Sequence, residues 1–413
     1  MCDSDVIVVG AGAAGLAAAQ RLKAAGVPVC VIEARQRLGC RAWTAVAQGL
    51  PLDLGCGWLH SADENDWARL APQSGFTVDT TEPPWRRGGT TLGFAPGEHV
   101  GFRQALDRFY DRLEGFDPNA PDVAASTLLE PGCRWNGLID AVSTWVNGDE
   151  TDRVSVRDWN RYHDTGINWR VREGYGALVG AYGAGLDVRL GTEVKRIDHA
   201  GKVLRVETPQ GTLTARAVIV AVPTSIIAAE ALQFSPALPA KVAAAAGLPL
   251  GYDDKLFLSV SSADDLPTEE RLFGATDRAE IGSYHLRPFG RPVIECYFGG
   301  RLARELEAQG DAAFVDYACE QLAGYFGASF KARLAPIAVS AWGRDPFARG
   351  AYSHALPGNS DLRAVLASPV DDRLFFAGEA CSTHDYSTAH GAYRTGIAAA
   401  EAALAALRTG SAS

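Results

Sequence analysis

The first 33 residues constrain this chain more than any other stretch. Val6-Ile7-Val8-Val9 is a run of β-branched residues that reads as a buried parallel strand. Gly10-Ala11-Gly12-Ala13-Ala14-Gly15 follows at once, Leu16 to Ala25 reads as a helix, and Gly26 ends it. Val27 to Ile32 then forms a second apolar strand closed by Glu33. Gly10 permits the tight turn, Gly12 lets backbone approach a pyrophosphate with Ala14 alongside, and Gly15 lets helix and strand pack closely. The pyrophosphate would sit at the positive end of the helix dipole, and Glu33 would accept from ribose hydroxyls. A lone G-x-G-x-x-G is a weak signal, because glycine-rich turns are common. Here strand, helix, second strand and terminal acid all fall at the spacing a dinucleotide needs. The unit alone does not separate FAD from NAD.

At 413 residues the chain is too long for one simple core, so roughly two domains are expected. The formal net charge of −10 argues against a nucleic-acid partner, which needs clustered Lys and Arg, and is compatible with a cationic substrate. Eight cysteines without a C-x-x-C pair suggest neither a zinc site nor a disulfide scaffold. Buried reduced thiols fit better. The apolar run from Val6 to Ala19 is too short for a bilayer span and is broken by glycines. No export signal precedes it, so the expectation is a cytoplasmic enzyme with no membrane partner, either monomer or homodimer.

The residues after Glu33 carry a resemblance. Glu33-Ala34-Arg35-Gln36-Arg37-Leu38-Gly39-Cys40-Arg41 resembles the E-A-R-x-R-x-G-G-R stretch of the flavin amine oxidase family. Asp53-Leu54-Gly55-Cys56-Gly57-Trp58-Leu59-His60 resembles that family's D-L-G-x-x-W-x-H segment. The resemblance implies FAD, with Ala34, Arg35 and Gly39 beside the dinucleotide, Arg41 on its phosphates, and Gly57 and Trp58 along the flavin. Cys40 departs from the pattern, standing where the family has its second glycine, and reads as a packed neutral thiol.

Residues 66 to 170 mix helical stretches, such as Phe102 to Leu113, with loops at Arg86-Arg87-Gly88-Gly89 and Pro118 to Pro121. Gly174-Tyr175-Gly176 imitates a second dinucleotide turn, but no apolar strand precedes it. It reads instead as a helix start, similar to the family's G-G-Y-x-x-L. Strands follow at Val188 to Leu190, Val194 to Ile197, Val203 to Glu207 and Ala217 to Val222. Glu193-Val194-Lys195 resembles the segment whose backbone holds the adenine, which makes Val194 a cofactor contact.

Gly251-Tyr252-Asp253-Asp254-Lys255-Leu256-Phe257-Leu258 sets one lysine at the head of an apolar strand, where an ordinary lysine would snorkel to solvent. The family's lysine at this place holds a water against flavin N5. Trp342-Gly343-Arg344-Asp345-Pro346 through Gly350-Ala351-Tyr352-Ser353 resembles the W-x-x-D-P-x-x-x-G-S-Y-S of polyamine oxidases and histone lysine demethylases, with Trp342 against the cofactor and Tyr352 facing substrate. Ala351 occupies the place of the covalent cysteine in monoamine oxidases, so the FAD is expected to be non-covalent. Phe376-Ala377-Gly378-Glu379 resembles F-A-G-E, with Gly378 and Glu379 near the ribityl or pyrophosphate. Ser387-Thr388-Ala389-His390-Gly391-Ala392 opens a long helix whose N-terminus, at Thr388 and Ala389, would face the flavin pyrimidine. His60 would face the substrate, and Asn65 or Asp66 would cap a helix from Trp67.

The expected fold is α/β: a Rossmann-like FAD domain from residues 1–65, 170–230 and 345–413, plus an α+β substrate domain with a mixed sheet from 66–169 and 231–344. The resemblance implies oxidation of an amine, a polyamine foremost, to an imine and then an aldehyde, with O2 reduced to H2O2. Lys255, His60 and Tyr352 are the expected catalytic groups. Two alternatives accompany this reading. An L-amino-acid oxidase of the same fold needs an arginine for the substrate carboxylate, and none is placed by motif. A flavin-binding protein without turnover is the other.

Overall fold

The computed structural model describes residues 4–86 and 92–409. Among these residues the nucleotide end is a five-stranded parallel sheet in the spatial order Leu374–Phe376, Ala217–Val220, Val6–Val9, Val29–Ile32, Val188–Arg189. Its strands come from segments far apart in the chain, so the expected discontinuous assembly is present. Val6–Val9 is buried on both faces, as its unbroken β-branched run requires. Val6 and Val8 join one core with the helices Ala13–Ala24 and Ala389–Thr409. Ile7 and Val9 join a second core that faces a smaller sheet. The two alanine-rich helices meet closely: a Cβ on Gly396 would stand 2.1 Å from the Ala14 carbonyl oxygen.

The smaller sheet runs Gly211–Ala215, Leu204–Thr208, Arg196–Asp198, Gln233–Ser235. Its first strand was not expected, because the pattern reads as a turn at Gln210-Gly211 and the strand beyond carries few large apolar residues. Gln233–Ser235 pairs with Arg196–Asp198, and Ala244, Ala245 and Leu248 fill the adjoining core. Trp67 and Ala71 likewise pack against the nucleotide helices. The elements just past residues 66 and 231 therefore sit with the nucleotide side.

The far end is a second five-stranded sheet, in the order Glu270–Phe273, Ser283–Leu286, Val293–Gly299, Asp253–Val260, Leu334–Val339. Its ladders are antiparallel among the described residues, and the parallel part of the expected mixed pairing is the isolated bridge Leu92↔Leu272. Side chains alternate along a strand. Leu256, Leu258, Tyr284, Cys296 and Phe298 fill a core with Leu302 and Phe314 from the helices on that side. Asp253, Lys255, Phe257, Ser283, His285, Glu295 and Tyr297 therefore share the opposite face. That face meets the nucleotide end, where Phe257 packs on Leu52 and Leu54.

A buried ion pair joins the two ends. Arg363 reaches both oxygens of Asp158 at 2.7 Å, with both side chains essentially unexposed, and lies 3.7 Å over the Tyr386 ring. The Arg86-Arg87-Gly88-Gly89 loop lies mostly outside the described residues.

Candidate active site

The glycine turn is as tight as its sequence suggests. Gly10 has φ +104, and a Cβ there would stand 2.5 Å from the Ala221 carbonyl oxygen. A Cβ on Gly15 would stand 1.8 Å from the Gly10 carbonyl oxygen. Gly12 begins the helix with no side-chain cap, which leaves the first-turn N–H groups for an outside acceptor. The Gly39 N–H donates to the Ala11 carbonyl, and a bridge joins Gly12 to Gly39, so the arginine-rich stretch lies directly against the turn.

Cys40 follows with φ +53, in the left-handed region that favours glycine. The chain adopts this conformation while carrying a side chain in it. The thiol receives an Arg35 N–H at 3.7 Å and stands close over Gly12.

The buried Glu33 carboxylate accepts the Ala11 N–H and the Arg35 N–H, each at 2.8 Å. Each oxygen keeps a lone pair for a ribose hydroxyl. Ala34 follows directly, and the Thr192 N–H donates to the Glu33 carbonyl, which brings the buried Val194 segment alongside. The Arg35 side chain turns to Asp345 at 2.7 Å and to the Phe347 ring. Arg41 donates to Glu379 at 2.9 Å and to the Ala351 carbonyl at 2.8 Å.

Glu379 gathers several segments: it also accepts from the Ser353 N–H and hydroxyl and from the Ser387 N–H. The Arg41 guanidinium holds its carboxyl below the usual range, although burial works the other way. Gly378 before it has φ +145, and its N–H donates to the Thr395 hydroxyl. Thr388 caps the long helix by accepting the Gly391 N–H at 2.9 Å, and the Ala389 carbonyl accepts from the Trp67 indole.

Lys255 is not a lysine waiting for a water alone. Its ammonium lies 3.0 Å from the Asp53 carbonyl oxygen and 3.0 Å from Glu295 Oε1, and 4.8 Å over the Tyr297 ring. A Cβ on Gly57 would stand 3.0 Å from its Nζ, so the ammonium lies directly against the Gly57 backbone. Burial works against the charge, but Tyr297, Glu295 and Asp53 more than offset it and hold Lys255 above the ordinary lysine range. Glu295 in turn is pushed down to about 2: burial opposes this, and Lys255 and His285 outweigh it. Asp53 couples the lysine to the Gly174-Tyr175-Gly176 segment, since its carboxylate accepts the Tyr175 and Gly176 N–H groups and caps the helix Tyr175–Tyr182. That segment is a helix start, as read.

His60 Nδ1 lies 2.6 Å from Asn168 Oδ1. An amide oxygen only accepts, so Nδ1 carries the proton and Nε2 is left as an acceptor. Burial lowers the imidazole below its usual range and keeps it neutral. Asn65, not Asp66, caps the helix Asp66–Gln73 by accepting the Trp67 N–H. The Tyr352 hydroxyl donates to the Trp145 carbonyl at 2.8 Å. Trp58 is sandwiched by Arg170, 4.8 Å above its ring, the edge of Trp85 and the ring of His285. The Trp342 indole donates to the Leu54 carbonyl and its ring meets Trp43 edge-on, which ties the C-terminal segment to the Asp53–His60 stretch.

Glu295, Tyr297, His285 and Asp253 were not found by sequence reading. For Glu295 and Tyr297 the signal was present in Val293-Ile294-Glu295-Cys296-Tyr297-Phe298, where polar residues alternate with apolar ones inside a strand. A second buried series continues from them: His285 Nε2 lies 2.7 Å from Glu269, which holds Arg170 at 2.7 Å.

A Rossmann-type end facing a sheet that projects a buried lysine is the architecture of a flavin-dependent oxidoreductase. The chain belongs to the flavin containing amine oxidoreductase family, whose model matches residues 150–404, while the model of an NAD(P)-binding Rossmann-like domain matches residues 8–73. It is 30% identical to polyamine oxidase 4 of Oryza sativa subsp. japonica, over 96% of this chain and 88% of that one. It is also 30% identical to polyamine oxidase 2 of Arabidopsis thaliana, over 96% and 87%. Among solved structures, a redesigned putrescine oxidase double mutant superposes with a TM-score of 0.79 at 20% identity, over 97% of this chain and 99% of that one. A cyclohexylamine oxidase from Brevibacterium oxydans superposes at 0.77 and 22%, over 98% and 100%. No helix of the described residues is long and apolar enough to cross a membrane.

Proposed function

We propose that the protein oxidises an amine held between the Lys255 face of the antiparallel sheet and the nucleotide end, with non-covalent FAD, O2 as acceptor and H2O2 as product. The observation that carries this is the buried Lys255 ammonium, aimed at Gly57 and fixed by Glu295 and Asp53. The residues fit FAD: the uncapped helix at Gly12, free lone pairs on Glu33, and glycines at Gly10, Gly15 and Gly39 where side chains would collide with backbone. Arg41, Gly378, Glu379, Thr388 and Ala389 would flank its phosphate and ring ends. Ala351 offers no thiol for a covalent link. Bound FAD supplies the two-electron acceptor.

The protein's own part is orientation and proton handling. An ammonium cannot lose hydride from its α-carbon, so the amine must first be neutral. Lys255 stays protonated and cannot be the base; its ammonium is held by the Asp53 carbonyl, Glu295 and Tyr297. His60 Nε2 is the neutral acceptor that can take the amine proton. Tyr352, its hydroxyl tied to Trp145, forms a fixed aromatic wall and excludes water. The resulting imine takes up water to give an aldehyde and ammonia or a shorter amine.

Polyamines are the favoured substrates because the relatives above are named for them and the chain carries a net charge of −10. A cytoplasmic enzyme remains the reading of location. The test is anaerobic mixing with amines of different class, following flavin absorbance. Bleaching followed by peroxide on admitting air supports the oxidase, and a yellow protein that no amine bleaches is a flavin binder without turnover.

A further inference from the structure

We propose that Arg271 forms an anion subsite in the substrate chamber, so that this chain accepts an amine bearing a carboxylate. Register places it there. Arg271 pairs with His285, which pairs with Glu295, while Ser283 pairs with Tyr297 and Tyr297 with Lys255. Residues directly opposed in antiparallel strands share a face, so Arg271 and Lys255 project to the same side with Tyr297 between them. Arg271 is held there by its Nε–H to the Ser283 hydroxyl at 2.7 Å.

The guanidinium lacks what four other buried or partly buried arginines have. Arg35, Arg41, Arg170 and Arg363 each meet a carboxylate at 2.9 Å or less. Arg271 has no carboxylate within ion-pair reach among the described residues, and its remaining N–H groups have no protein acceptor there. Its surroundings are aromatic: Trp145 at 4.8 Å, Phe273 at 4.9 Å and Trp85 at 5.9 Å from its carbon. Burial lowers it to about 10, so it is still charged at neutral pH. The Trp145 indole Nε1 beside it is buried and also without an acceptor.

The same residues connect Arg271 to the reacting end. The Trp145 carbonyl takes the Tyr352 hydroxyl, and Trp85 meets the edge of Trp58. The guanidinium carbon lies over three aromatic rings, and the N–H groups beyond Nε have no acceptor among the described residues. A carboxylate matches those N–H groups with two parallel hydrogen bonds and supplies the missing charge. The substrate then spans the chamber, with its amine at Lys255 and Tyr352 and its carboxylate at Arg271. This rests on the amine-oxidase reading for the chemistry and departs from the polyamine reading at the far end of the substrate.

The test uses the FAD-loaded protein, wild type and R271Q. Hexanoate and hexylamine are titrated against tryptophan fluorescence, and flavin bleaching is followed with ω-amino carboxylates, L-amino acids and alkylamines of matched length. Hexanoate should quench in the wild type, and its half-saturation should rise about 10- to 100-fold in R271Q. The half-saturation ratio of the best amino carboxylate to its matched alkylamine should rise by a similar factor. Failure of hexanoate to bind, or equal binding by R271Q, overturns the subsite whatever the oxidase assay gives. Hexanoate binding that depends on Arg271 in a protein no amine bleaches would leave the subsite standing and sink the oxidase.

Discussion

Lys255 and Glu295 form the pair on which the reacting end is built, and removing one partner leaves the other charged and buried. Lys255→Met should lower oxygen-dependent turnover by about 100-fold or more, since a fixed donor at the reacting centre is lost. It should also destabilise the fold by about 3 kcal/mol, because the buried Glu295 loses its ammonium partner and keeps only His285. The double variant K255M/E295Q should recover most of the stability and none of the turnover. Thermal melts and peroxide release on the three proteins check both, and equal melting of the single and double variants would contradict the pairing. Cys40 bears a different strain. Cys40→Gly relieves a left-handed conformation at some cost in chain entropy, so its melting point should rise by roughly 1–2 °C. An unchanged or lower midpoint would show that the thiol's packing outweighs the backbone.

At the scale of elements, the glycine turn separates folding from cofactor binding. Gly12 has ordinary backbone angles, φ −81, and an added Cβ would meet the Cys40 Cβ at 3.1 Å and the Gly39 carbonyl oxygen at 3.9 Å. Gly12→Ala should therefore fold with near-native far-UV circular dichroism yet purify with little or no flavin. Full yellow colour would mean the pyrophosphate does not approach there. This unit was legible because each of its parts is local: a β-branched run, three glycines at fixed spacing, an acid at the strand end. The antiparallel sheet was legible only at Lys255, where a charged residue interrupts an apolar strand. Glu295, His285 and Arg271 acquire meaning from register across strands, as Lys255 pairs with Tyr297 and Arg271 with His285, and no local pattern states which strand lies beside which. The lysine's partners, like the contact of Arg41 with Glu379 across 338 residues, are properties of the assembled fold.

Across the whole molecule, buried charges set how stability follows pH. His354 is 1% exposed and its two ring nitrogens have no hydrogen-bond partner, and burial lowers it from 6.5 to about 4. The unfolded chain thus takes up a proton on His354 below about 6.5 that the folded chain refuses until about 4. Stability is lost across that window, on the order of 3 kcal/mol from this one group. Glu269 and Glu295, both near 2 when folded against an ordinary 4.5, add a further loss as pH falls from about 4.5 toward 2. Buried carboxyls held above their ordinary range, Glu150 at about 7 with Asp253 and Asp254, work the other way. The His354 share is therefore read from melting points of the wild type and H354Q. The difference should move in the variant's favour as pH falls from about 6.5 to 4, and a difference that does not change with pH would contradict the placement. Arg363→Met, which leaves Asp158 buried and alone where the two ends meet, should cost about 3–5 kcal/mol. The central claim is that the Lys255 face and the nucleotide end together oxidise amines, and anaerobic mixing of the FAD-loaded protein with amines tests it most directly. The account predicts that an amine bleaches the flavin in the wild type and that Lys255→Met slows turnover. A wild-type flavin that stays oxidised with polyamines, alkylamines and amino carboxylates alike would contradict it.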